Sequence, residues 1–81
     1  MIIVEWFPEL MEERLQANDD KGGWDALPFT SLLDRLEGEV AELRDALIDG
    51  VHDHVLMEAA DVANYAMMIA DNFDQRPPVK W

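Results

Sequence analysis

The sequence predicts an all-α domain of three helices. Glycine and proline residues divide the 81 residues into three stretches, and the stretches on either side of Gly50 carry apolar residues at spacings of three and four. The one strand-like segment, residues 2–4, would have no sheet to join. A chain of this length forms one small domain, so we assign residues 1–81 to a single helical domain.

The first helix is predicted from Pro8 to Asn18. A proline is tolerated in the first helical turn, where its missing N–H would have no intrahelical partner, and Glu9 suits the same end of the helix dipole. Residues 18–23 are rich in asparagine, aspartate and glycine and are predicted to form a loop. Residues 24–28, which lead to the second helix, are predicted to be irregular.

The second helix is predicted to begin at an N-cap formed by Thr30 or Ser31, since both side chains can accept a backbone N–H. It should end at Asp49, with Gly50 as the C-cap.

The third helix is predicted from His52 or Asp53 to Phe73. Residues 75–81 contain two prolines, which cannot continue a helix, so this segment is predicted to be a non-helical tail.

The composition is strongly acidic: 18 Asp and Glu residues against 6 Lys and Arg residues give a net charge of −12. Such a charge repels nucleic-acid backbones and anionic membranes, so neither is an expected partner. No apolar run approaches the roughly 20 residues of a membrane span, and the lack of cysteine excludes a disulfide framework. We expect a cytoplasmic protein whose small core is stabilised by a metal or by self-association.

Two carboxylates of the second helix border its predicted core face. Apolar residues at spacings of four, three and four define that face: Leu36, Val40, Leu43 and Leu47. Because each residue advances about 100° around a helix, Glu39 and Glu42 lie to the same side of it. Arg35 precedes Glu39 by four residues and could pair with it, so these carboxylates alone are compatible with an ordinary charged surface.

Glu58 and Asp61 stand in an almost wholly apolar part of the third helix. The predicted core stripe of this helix comprises Val55, Val62, Ala66, Ile69 and Phe73. No lysine or arginine occurs between residues 51 and 75, and His54 is a weak local partner for Glu58. An unpaired ionised carboxylate near such a stripe would cost several kcal/mol, so a counter-charge is required.

Two interpretations account for the four carboxylates. In one, separate salt bridges pair each of them with basic residues from elsewhere in the chain. In the other, Glu39 with Glu42 and Glu58 with Asp61, each pair at positions i and i+3, converge from adjacent helices on one divalent cation. An all-oxygen ligand set suits Mg²⁺, with Mn²⁺ as an alternative. We favour the second interpretation because it needs one cause rather than several, and we predict a magnesium site.

The spacing of these residues also resembles a known family. Glu39-Val-Ala-Glu42, fifteen intervening residues and Glu58-Ala-Ala-Asp61 are similar to the ExxE…ExxD pattern of the MazG-like, all-α nucleoside triphosphate pyrophosphohydrolases. The resemblance covers roughly residues 13–72 and is closest to the short MazG-like proteins.

The resemblance implies hydrolysis of an NTP or dNTP between its α and β phosphates, giving a monophosphate and pyrophosphate. It implies that Glu39, Glu42, Glu58 and Asp61 hold the magnesium ion, and that Glu39 or Glu42 contacts the attacking water. A bound cation would also offset the triphosphate charge that so acidic a chain repels.

Four further residues are candidate contacts for the nucleotide. Lys21 could reach a phosphate or be a solvated surface residue, and Trp24 could stack on the base or belong to the core. Tyr65 follows Asp61 by one helical turn on the same side. Asn64 could bind a phosphate or hold a neighbouring helix.

In the superfamily that the chain resembles, a fourth helix or a second subunit usually completes the site. The third helix is also apolar nearly all the way round. We therefore expect a homodimer or homotetramer in which helices of different chains complete a four-helix-type bundle. Two other functions compete with the enzyme: a non-catalytic nucleotide- or metal-binding module of the same fold, and an acidic protein-interaction protein. The interaction protein would spread its carboxylates over the exterior.

Overall fold

The computed structural model describes residues 4–18 and 24–75, which form three α-helices and no strand. The helices are α1 (Trp6–Asn18), α2 (Phe29–Asp49) and α3 (His52–Gln75). The predicted all-α class is therefore confirmed for this part of the chain. Within it, α3 packs against both α1 and α2, whereas α1 and α2 do not pack against each other. None of these helices is long and apolar enough to cross a membrane.

Two predicted helix starts differ from the structure. α1 begins at Trp6, two residues before the predicted start, so that Pro8 is the third helical residue and still lies in the first turn. The N-cap of α2 is Pro28, in an extended conformation (φ −62°, ψ 150°), and the prediction of a Thr30 or Ser31 cap is wrong. The Leu32 N–H donates to the Pro28 carbonyl at 3.1 Å, so the helix starts directly after the proline.

The predicted end of α2 is confirmed, whereas α3 ends later than predicted. Gly50 is confirmed as the C-cap of α2: its φ is +74°, and its N–H donates to the Ala46 carbonyl at 2.8 Å. α3 continues two residues beyond Phe73, so Gln75 belongs to the helix and not to a tail. A proline disfavours helix at itself and at the preceding residue, and Gln75 lies two positions before Pro77.

Some predictions fall on parts of the chain outside the described residues. These are most of the lead-in at residues 2–4, the loop at 19–23 with Lys21, and residues 76–81. The irregular segment at 24–28 is confirmed as turns and bends, with the Leu27 N–H donating to the Trp24 carbonyl at 3.1 Å.

The face that α2 buries coincides only in part with the predicted one, of which Leu36 and Leu43 are half-buried. Its buried residues are Phe29, Leu32 and Ala46. Val40 and Leu47, which the sequence pattern assigns to the core, are 40% and 60% exposed. Compared with the prediction, α2 is rotated about its own axis. The row of residues that faces inward runs from Leu32 through half-buried Glu39 to Ala46, at a spacing of seven.

The buried positions of α3 are mostly polar: Ala60, Asp61, Asn64 and Asn72. Of the predicted core stripe, Val55, Val62 and Ile69 are half-buried, while Ala66 and Phe73 are exposed. The Phe73 ring contacts the Phe29 ring at a centroid distance of 6.0 Å. Assigning Ala66 and Phe73 to the core is therefore wrong, since the side of α3 that faces its neighbours carries carboxylate and amide groups.

Candidate metal centre

Three of the four predicted metal ligands meet where α2 packs on α3. One carboxylate oxygen from each of Glu39, Glu58 and Asp61 lies within 4.8 Å of the other two. Asp61 is 7% exposed, and the other two side chains are half-buried. Neighbouring ligands of an octahedral magnesium ion are about 3 Å apart and opposite ones about 4.2 Å, so the three side chains would have to move closer together to bind one ion.

The local sequence explains this convergence. Glu58 and Asp61 are three residues apart and therefore project from the same face of α3. Glu39 occupies the middle of the α2 row that turns toward α3, between Leu32 and Ala46. Thus the two motifs meet because both lie at the line of contact between the helices.

Glu42, the fourth predicted ligand, is exposed and does not belong to the group of three. It nevertheless lies close enough to that group for its negative charge to raise the pKa of both Glu39 and Glu58. The structure therefore leaves Glu42 at the rim of the carboxylate cluster, which we define as Glu39, Glu58 and Asp61.

The electrostatics of the cluster favour protons or a cation. Burial raises the pKa of Glu39 to about 8, assisted by a side-chain hydrogen bond with Glu42 and by repulsion from Glu42, Asp61 and Glu58. Burial also raises the pKa of Glu58, with repulsion from Glu42 and Asp61 adding to the effect. Among the described residues, the buried Oε2 of Glu39 has no hydrogen-bond partner. A buried acceptor without a donor is costly, so this oxygen favours a ligand that is not part of the described chain.

Arg14 pairs with Asp61, and sequence reasoning missed this contact. Its Nε donates to Asp61 Oδ1 and its Nη2 donates to Asp61 Oδ2, both at 3.0 Å. For Asp61 the structure therefore shows what the first interpretation describes, a salt bridge with a basic residue from elsewhere in the chain, here from α1. A signal was present: Arg14 follows Phe7 and Met11 at spacings of four and three, which sets a cation on the half-buried face of α1.

The other basic residue considered as a partner, Arg35, is exposed. In the described part of the chain it forms no ion pair with Glu39. The simple local salt bridge that the sequence allows for Glu39 is thus not formed.

Trp24 is held at a distance from the carboxylate cluster. Its indole N–H donates to Asp71 Oδ2 at 3.2 Å, and its carbonyl accepts from the Asn72 side-chain amide at 2.9 Å. Asp71 lies ten residues beyond Asp61, which is about 15 Å along the helix axis. These bonds anchor the segment before α2 to α3, and base stacking by Trp24 stays a prediction.

Asn64 and Tyr65 follow Asp61 on α3. Asn64 is 3% exposed, and its amide donates to the Met11 carbonyl at 3.0 Å, so it holds α1 against α3. Its Oδ1 is buried without a partner among the described residues. Tyr65 is half-buried. Nucleotide contact by these two residues and by Lys21 stays a prediction.

Comparison of the chain with family models, curated protein sequences and solved structures found no match.

The residues present fit a divalent cation. The three carboxylates supply only oxygen ligands, as hard cations such as Mg²⁺ and Mn²⁺ prefer. The unpartnered Glu39 oxygen would gain a partner, and a dication would reverse the repulsion that raises the pKa of Glu39 and Glu58. With only three protein ligands, several coordination positions would remain for water or for a phosphate oxygen.

Proposed function

We propose that the protein is a magnesium-dependent nucleoside triphosphate pyrophosphohydrolase, which converts an NTP or dNTP into its monophosphate and pyrophosphate. The observation that carries the proposal is the convergence of Glu39, Glu58 and Asp61 between α2 and α3. The resemblance of the two acidic motifs to those of MazG-like enzymes supports the class of reaction.

In this proposal the carboxylate cluster holds Mg²⁺, or alternatively Mn²⁺. The ion would offset the charge of the triphosphate and stabilise the negative charge that develops during attack at phosphorus. Glu39 must lose its proton to coordinate, which ties metal binding to its raised pKa. Asp61 is held in one orientation by Arg14, so its contribution to the site is pre-arranged.

Glu42 is the general base of this proposal: it accepts a proton from the attacking water. The sequence left the choice between Glu39 and Glu42 open. Glu39 points into the cluster, whereas Glu42 is exposed at its rim, where it can meet a water. A carboxylate at hydrogen-bond distance from the nucleophilic water can accept its proton as attack proceeds.

The test is a panel of the common NTPs and dNTPs incubated with Mg²⁺, with monophosphate and pyrophosphate identified as products. Glu42→Gln should lower kcat by about 100-fold or more while it retains metal binding. Glu37→Gln, an exposed substitution on the same helix, is the matched control and should leave both unchanged. The proposal fails if no nucleotide in the panel yields pyrophosphate.

A second candidate is a non-catalytic nucleotide- or metal-binding module of the same fold. The observation that favours it is the Arg14–Asp61 pair, which balances one carboxylate of the cluster without a metal. Nucleotide binding in the presence of Mg²⁺ without turnover would select this candidate. An acidic interaction protein is disfavoured, since Glu39, Glu58 and Asp61 turn inward rather than outward.

We further propose that the protein is a homo-oligomer in which a second copy covers the outer face of α2. This face, the α2 groove, is lined by Val40, Leu43, Arg44, Leu47 and Ile48. Leu47 and Ile48 are 60% and 76% exposed. Large exposed apolar side chains in a row are typical of an interface.

Two features favour a second copy as the occupant. The spacing from Val40 through Leu43 to Leu47 is the one that pairs helices with each other. Arg44 also places a cation within the apolar groove of a chain whose net charge is −12.

A further inference from the structure

Arg14 lies at the edge of the carboxylate cluster and has N–H donors that the pairing with Asp61 does not use. A guanidinium carries five N–H groups, and the pairing with Asp61 uses one on Nε and one on Nη2. Among the described residues it makes no other hydrogen bond, and its side chain is 20% exposed. Three N–H groups, two of them on Nη1, are therefore available to a ligand.

The guanidinium is also close to the rest of the cluster. It is bonded to both oxygens of Asp61, one of which lies within 4.8 Å of oxygens of Glu39 and Glu58. The hydrogen bond with Asp61 raises the pKa of Arg14, and the charges of Glu58 and Glu39 add to this effect. An anion bound at the cluster would consequently lie near the free donors of Arg14.

Charge balance shows why an anionic substrate needs this residue. Three ionised carboxylates and one dication leave a single negative charge, and Glu42 at the rim adds a second; both would oppose the approach of a phosphate. The positive charge of Arg14 offsets one of them. A planar guanidinium also suits phosphate oxygens better than an ammonium group does, because its N–H groups form a fixed fork.

We propose that Arg14 is the phosphate-recognising residue of this site: it orients Asp61 through Nε and Nη2 and donates its remaining N–H groups to an oxygen of a metal-bound phosphate or pyrophosphate. This inference rests on the proposed function, since it takes the cluster to be a metal site for a phosphate substrate. Arg14 is thus both a positioning residue for Asp61 and a binding residue for the anion.

Two binding measurements without turnover test the proposal. The first is the affinity for Mn²⁺ alone, followed by electron paramagnetic resonance. The second is the affinity for inorganic pyrophosphate at saturating Mg²⁺, measured by calorimetry. Arg14→Gln should weaken pyrophosphate binding about tenfold or more, as expected for loss of a charge-assisted hydrogen bond. Mn²⁺ affinity should change much less, because the loss of the contact that orients Asp61 is offset by the removal of a positive charge beside the cluster.

Two further variants show whether pyrophosphate affinity depends on the shape of the guanidinium or only on its positive charge. Arg14→Lys keeps the charge without the fork and should give an intermediate loss of pyrophosphate affinity. Arg35→Gln removes an equal charge from an exposed position on α2 and should leave pyrophosphate affinity unchanged. Circular dichroism checks that each variant is folded; if Arg14→Gln is not, the comparison of wild type with Arg14→Lys decides.

The outcomes distinguish this inference from the proposed function. Equal pyrophosphate affinity in the wild type and the Arg14 variants, with Mn²⁺ binding intact, overturns the role of Arg14 and leaves the metal site standing. The role of Arg14 is likewise overturned if the wild type binds Mn²⁺ but not pyrophosphate. A wild type that does not bind Mn²⁺ removes the metal site, and the inference falls with it.

Discussion

Arg14 and Asp61 lie 47 positions apart in the sequence, and both oxygens of the Asp61 carboxylate accept hydrogen bonds from the Arg14 guanidinium at 3.0 Å. This pair joins α1 to α3 beside the carboxylate cluster. A single contact therefore connects the packing of the domain with the orientation of a candidate metal ligand.

The first prediction concerns this pair. Replacing Asp61 by Asn should lower the free energy of unfolding by about 2 kcal/mol, because the partly buried guanidinium loses a charged partner. Urea unfolding of Asp61→Asn, Arg14→Gln and the double variant forms a double-mutant cycle. If the two single losses simply add in the double variant, the pair contributes no coupling energy.

The second prediction concerns Glu58 and the metal. Millimolar Mg²⁺ should raise the melting temperature of the wild type, because an ion that binds only the folded state stabilises it. Glu58→Gln should abolish this rise and the activity, yet raise the melting temperature of the metal-free protein, because repulsion within the cluster is relieved. Glu37→Gln should behave like the wild type. A melting temperature unmoved by Mg²⁺ would count against the metal site.

The third prediction is a dependence of stability on pH. The pKa of Glu39 is raised from 4.5 to about 8 in the folded protein. Between these values the folded state binds more protons than the unfolded state, so the free energy of unfolding should decrease as pH rises. The stabilising contribution is fully present below about pH 4.5 and is lost as pH rises through about 8.

Urea unfolding of the metal-free protein over that pH range measures this effect. Glu39→Gln should flatten the dependence, whereas Glu37→Gln should preserve it. Mn²⁺ affinity of the wild type should increase over the same range, because protons compete with the metal for Glu39. An identical slope in wild type and Glu39→Gln would exclude Glu39 as the titrating group.

The fourth prediction concerns the anchor of Trp24. Asn72 is 1% exposed, and its amide donates to the Trp24 carbonyl. Asn72→Ala should lower the free energy of unfolding by about 1–3 kcal/mol, since it removes a buried hydrogen bond and leaves the carbonyl without its donor. Asp74→Ala, at an exposed position on the same helix, is the control and should have little effect. Thermal unfolding followed by circular dichroism measures both.

The fifth prediction concerns self-association through the α2 groove. Leu47→Glu introduces a charge into this apolar face and should convert the oligomer into a monomer or an unfolded chain. Ala17→Glu introduces the same charge on the exposed side of α1 and should not change the oligomer. Light scattering at micromolar concentration measures the mass. A folded wild-type monomer would refute the assembly.

The local signals in the sequence were reliable where one residue dictates the backbone. Gly50 ends α2 because a residue without a side chain adopts positive φ at little cost. The start of α2 was predicted wrongly, because the prediction relied on the side chains of Thr30 and Ser31, whereas the helix starts directly after Pro28, whose ring sets φ and whose carbonyl accepts the first bond. The acidic motifs were also visible, since i and i+3 positions share a helix face whatever surrounds them.

The sequence by itself determined that the chain is helical, where α2 ends, and that Glu58 and Asp61 point the same way. Only the tertiary structure decided how α2 is rotated on α3, which carboxylates meet, and that Arg14 reaches Asp61. The physical reason is that helical periodicity relates residues within one helix but not between helices. α2 carries apolar side chains on two adjacent faces, one through Leu32 and Ala46 and one through Val40 and Leu47. Packing against α3 buried the first and brought Glu39 into the cluster with it.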